Sequence, residues 1–75
     1  MNIELVAEDS FTIFERQYPL NIFLITDPVL QYYRCYYNND VFDLVLNEEF
    51  IWEDIDRGVT EYSLFLGAII ESKFF

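Results

Sequence analysis

Asp40, Asp43, Glu48, Glu49, Glu53, Asp54 and Asp56 follow one another with no cation between them until Arg57, which makes this stretch the place to look for chemistry. Paired carboxylates serve glycoside hydrolysis or hold a divalent cation. In a chain with 14 acidic residues among 75, some pairs lie close by composition alone. Glu53-Asp54-Ile55-Asp56 has the acidity of a calcium loop, but Gly58 is misplaced and no acid closes the frame opened at Asp54. Histidine is absent, which removes the commonest general base, the usual partner of a catalytic Ser or Cys, and the imidazole ligands of most zinc sites. Cys35 stands between Arg34 and Tyr36, and a neighbouring cation can depress a thiol pKa. A small buried residue in a tyrosine-rich segment is the better reading of it. The sequence therefore assigns no catalytic residue, no metal and no cofactor.

The elements that must carry these residues are only partly defined by pattern. Ile3 to Ala7 reads as a strand closed by Glu8-Asp9-Ser10, and either Phe11 to Arg16 pairs with it as a hairpin or Asp9 or Ser10 caps a short helix over Phe11 to Gln17. The strand is preferred. Pro19 breaks the run, and Leu20 to Thr26 is the best candidate for a central strand. Asp27-Pro28 has the form of a helix start, which predicts a helix from Pro28 to about Tyr37. The rival reading makes Tyr32 to Tyr37 a strand and Asn38-Asn39 a hairpin turn into Val41 to Leu46. A strand to Leu46 and a helix from Asn47 to Arg57 is expected next, with Asn47 as cap and Glu48-Glu49 in the first turn. Val59 to Ile70 forms a last strand or helix, with Thr60 the cap of the helical version. The sum is a single compact acidic α+β domain over residues 1–75, a short antiparallel sheet with one or two helices.

Composition bounds the function. A chain of 75 residues sits near the lower limit for one apolar core, yet 53% of it is hydrophobic and 20% aromatic beside a net charge of −10. Disorder is not expected at that hydrophobicity. Some aromatics must reach the surface, where grouped rings suggest an interface. One cysteine rules out an internal disulfide and fits a reducing cytoplasm. The N-terminus has no basic region ahead of an apolar run, and the longest apolar run, Leu64 to Ile70, falls well short of the roughly 20 residues a membrane span needs. Four cations, Arg16, Arg34, Arg57 and Lys73, are too few to grip a phosphate backbone. Direct nucleic-acid or membrane binding is not expected, and attraction to basic surfaces is.

A rigid row of carboxylates can occupy a site shaped for phosphates. On the expected helix Glu49 and Glu53 lie one turn apart, Asp56 extends that side, Glu48 flanks it, and Asp40 and Asp43 continue the row. Phe50 or Trp52 would sit beside the charges as an apolar anchor. The partner-binding residues so chosen are Asp43, Glu48, Glu49, Phe50, Trp52, Glu53, Asp54 and Asp56. A charge of this size exceeds the magnitude of about 2 to 8 that keeps a small domain soluble, although a run of acids is most often just a solvated face.

In size, acidity and lack of catalytic residues the chain resembles the small phage-encoded inhibitors: anti-CRISPR proteins, anti-restriction proteins and uracil-DNA glycosylase inhibitors. The resemblance is one of bulk properties, without a shared motif. It implies a stoichiometric DNA-mimic inhibitor, acting in the host cytoplasm, that blocks the nucleic-acid groove of a defence or DNA-processing protein. The alternative is an aromatic-rich oligomerisation or subunit-docking domain built on Tyr32, Tyr33, Tyr36, Tyr37, Phe74 and Phe75. A homodimer is compatible with both.

Overall fold

Alternation with a period of two governs most of the chain, and the computed structural model is accordingly dominated by one sheet. It describes residues 1–75, with the side chains of Phe11 and Ile13 outside the description. Strands β1 (Asn2–Ile13), β2 (Arg16–Thr26), β3 (Gln31–Tyr37), β4 (Asp40–Leu46) and β5 (Trp52–Asp54) form a five-stranded antiparallel meander in sequence order. A single helix, α1 (Glu61–Phe74), follows. This is a small α+β fold with one helix.

Turn chemistry sets the meander. Phe14-Glu15 and Asn38-Asn39 both have positive φ at two successive residues, the form of tight hairpin turns that matches the strands' right-handed twist. The β2–β3 turn is organised by Asp27, whose Oδ1 accepts from the Val29 and Leu30 amides, each at 2.8 Å. The helix expected from Pro28 to Tyr37 does not form. Asp27-Pro28 caps a turn instead of a helix, and the rival strand reading is the one the chain adopts. The physical reason is that alternation places Cys35 and Tyr37 in the core and leaves Tyr36 exposed on the opposite face, which a helix would scramble.

Two further expectations change. Glu8-Asp9-Ser10 does not close a strand, because β1 runs through it and pairs with β2 from Asn2 opposite Thr26 to Ile13 opposite Arg16. Pro19 does not break β2 either. It lies opposite Ser10 and beyond the β2–β3 pairing, which begins at Leu20 opposite Tyr37, so its missing N–H costs no ladder bond.

The core lies on one face of the sheet, where Leu20, Ile22, Cys35, Tyr37, Phe42, Leu44 and Trp52 meet Leu66 and Ile70 of α1. Thr60 caps the helix as its helical reading requires: Thr60 Oγ1 accepts from the Ser63 amide at 3.0 Å, and the Thr60 amide donates to Ser63 Oγ at 2.8 Å. Ser63 Oγ also donates to the Trp52 carbonyl at 2.9 Å, tying the first turn of the helix to β5. Gly67 then permits close approach, since any Cβ there would overlap the Trp52 indole. No helix is long and apolar enough to cross a membrane, among the described residues.

Candidate protein-binding surface

The acidic stretch folds as strand, turn, strand and turn, and the helix expected over Asn47 to Arg57 does not form. Asn47 does cap, as its side chain suggests, but it caps a loop. Its Oδ1 accepts from the Glu49 amide at 2.8 Å and the Ile51 amide at 3.0 Å, while backbone bonds from Asn47 to Ile51 and from Phe50 to Asn47 close the same five residues. Phe50 stands in the left-handed region at φ 62° and is 81% exposed. A positive φ there is incompatible with a continuing helix.

β5 then sends its side chains to alternate faces. Trp52 points into the core at 5% exposure, its Nε1–H donating to Glu71 Oε1 at 2.7 Å, so it is not placed as a surface anchor. Asp54 is also interior, at 2% exposure. Its Oδ1 accepts from the Asp56 amide at 2.8 Å and the Arg57 amide at 3.2 Å, and Asp54 and Gly58 exchange two backbone bonds of 2.8 Å. Asp54 therefore builds the turn that leads to the helix. Glu53, between them, faces the other side of the sheet beside Val45.

The arginines take up part of the row. Arg34 makes a two-pronged pair with Asp43, at 2.8 and 3.2 Å, on the face away from the helix. That pair holds the guanidinium well above its ordinary pKa. Arg57 bonds Asp40 at 3.0 Å, lies 3.9 Å from Asp54 Oδ2, and sits 4.8 Å over the Phe42 ring. The hydrogen bond from Arg57 is the largest cause of the lowered Asp40 pKa. Lys73 pairs with Asp9 at 3.1 Å. Asp43 and Asp54 are thus structural carboxylates in this chain.

What remains together is Glu48, Glu49 and Glu53, which with Leu30, Val45, Leu46 and Asn47 line one open concavity of about 470 Å³. No cation lines it, and these three carboxylates have no ion-pair partner among the described residues. Phe50 lies in the same loop, while Asp56 stands in the turn at the opposite end of β5. The apolar lining of Leu30, Val45 and Leu46 has no signal in the local sequence, because it joins the β2–β3 turn to the end of β4.

Among the described residues no group of three or more His, Cys, Asp or Glu is placed to hold a metal ion. Cys35 is fully buried, with its thiol pushed up to about 12 by burial and then by the Asp43 charge, so its neighbour Arg34 does not activate it. Comparison of the chain with protein-family models, curated proteins and solved structures finds no match.

Proposed function

We propose that this protein is a small non-enzymatic inhibitor or decoy that binds a basic, nucleic-acid-binding surface of another protein. The contact residues are Glu48, Glu49 and Glu53, with Phe50 as the apolar anchor beside them and Asp56 extending the negative field. The observation that carries the reading is the concavity of Glu48, Glu49 and Glu53 on a loop stiffened by Asn47, with no cation in its lining. A loop backbone already held by Asn47 costs little further ordering when a partner binds, which favours the charges it carries as a docking surface. The net charge of −10 steers a cationic partner toward it from a distance. The likeness in bulk properties to phage-encoded anti-CRISPR and anti-restriction inhibitors adds that the basic surface is a nucleic-acid groove, in a nuclease or other DNA-processing complex.

The test immobilises the protein, recovers its partner at low salt and adds duplex DNA. Release by DNA is expected, and Glu49→Lys with Glu53→Lys is expected to abolish capture while the circular-dichroism spectrum stays unchanged. Retention of the partner in excess DNA, or by the doubly reversed variant, would remove these carboxylates from the interface.

A further inference from the structure

The two edges of the sheet are not alike. β5 is short, and the outward backbone groups of Asp54 are already bonded to Gly58. β1 is twelve residues long, and among the described residues no backbone bond joins it to a sixth strand, a loop or the helix. Open edges of this length are normally blunted by lysine, proline or shortness. β1 has no lysine and no proline and is long; what blunts it is the acids Glu4, Glu8 and Asp9 and the bulge at Val6 between Leu5 and Ala7.

Proline chemistry fixes which of its groups face outward. Ser10 lies opposite Pro19, which has no N–H, so this pair belongs to the non-bonded set that alternates with bonded pairs in an antiparallel ladder. The Ser10 amide instead donates to Asp9 Oδ1 at 2.8 Å, as an outward-facing group must find another acceptor. Alternation then turns the N–H and C=O of Glu8 and Thr12 outward, and those of Leu5 and Ile3 across the bulge. Ile3 and Leu5 are 57% and 46% exposed, so apolar side chains flank the open ladder.

We infer that the outer edge of β1 accepts an extended, basic segment of a partner protein as a sixth strand, paired through Leu5, Glu8 and Thr12. Charge selects the occupant. A second copy pairing antiparallel would bring Glu4, Glu8 and Asp9 against the same acids of a chain that already carries −10. Lysine or arginine at alternate positions of an incoming strand lies on one face of the extended sheet and meets Glu8 there, a carboxylate held in no ion pair among the described residues. The main chain supplies affinity and the charges supply selection. The basic character of the occupant rests on the proposed function, whereas the open ladder does not.

The probe is a short capped peptide of alternating lysine and valine, with a glutamate–valine peptide and an alternately N-methylated lysine–valine peptide as controls. The readout is amide hydrogen exchange, residue by residue, in the intact protein. The lysine–valine peptide is expected to slow exchange at Leu5, Glu8 and Thr12 by at least about tenfold, with neither control doing so. Glu8→Pro, which deletes an outward N–H that the β1–β2 ladder does not use, should abolish the protection, and Glu8→Gln should only weaken it. Equal protection by the glutamate–valine peptide, or protection with no peptide present through self-association, overturns the basic occupant. Binding of the lysine–valine peptide that perturbs Glu48, Glu49 and Glu53 but leaves the β1 amides unprotected overturns strand addition while leaving the proposed function standing.

Discussion

Gly67 is the residue on which the helix's seat depends. The indole of Trp52 occupies the space a side chain would need, and overpacking of this kind costs about 1 to 3 kcal/mol, more than the roughly 1 kcal/mol alanine gains over glycine in a helix. Gly67→Ala is therefore expected to lower stability by up to about 2 kcal/mol in denaturant unfolding. Cys35 makes a second residue-scale claim. A buried thiol whose folded pKa is raised contributes stability that is complete below the unfolded value of about 8.5 and is lost as pH climbs toward 12. Cys35→Ala should remove that part of the alkaline decline, measured as the difference between the two stability-versus-pH curves. The native thiol should also resist a disulfide reagent at neutral pH. At this scale the sequence was readable where one local rule decides, as with the Thr60 cap and the inert cysteine. Trp52 and Asp54 were not readable, because whether neighbouring residues share a side depends on whether the segment is helix or strand.

At the scale of elements, the hairpins carry the fold, and two of their turns differ in quality. Asn38-Asn39 uses the residue type that tolerates the left-handed region, whereas Phe14-Glu15 places two poorly suited residues there. Glu15→Gly is expected to stabilise the β1–β2 hairpin by about 1 kcal/mol, seen as a raised thermal midpoint and slower amide exchange at Asp9 and Leu20. The same chemistry explains what could be read in advance. Asn38-Asn39 offered the hairpin as the rival to a helix end, and Leu20 to Thr26 announced a strand with neighbours on both sides. Asp27-Pro28 misled because a carboxylate accepting two amides followed by proline begins a helix or tightens a turn equally well. Only the tyrosine alternation downstream separates the two. Asn47 carries the same ambiguity, and its loop is what replaces the expected helix over Asn47 to Arg57.

For the whole molecule, charge and sheet geometry act together. Among the described residues, Arg34, Arg57 and Lys73 are drawn into ion pairs with Asp9, Asp40, Asp43 and Asp54, and this sorts the carboxylates into those that hold the fold and those left facing solvent. The hydrogen bonds that depress Asp9, Asp27 and Asp40 contribute stability above the ordinary aspartate range near 4, and that contribution is lost as pH falls through their lower folded values. The fold class was accessible from composition and pattern, and the acidic stretch is plain in the sequence. Its division into a structural half and a surface half was not, since it depends on register across β3, β4 and β5.

The proposal that Glu48, Glu49 and Glu53 bind a cationic partner is tested most directly by the salt dependence of the affinity for the captured partner. The dissociation constant should rise steeply between about 50 and 200 mM salt, and the slope should flatten in a variant with all three glutamates changed to glutamine. An affinity that ignores salt, or a slope the triple variant leaves unchanged, would contradict it.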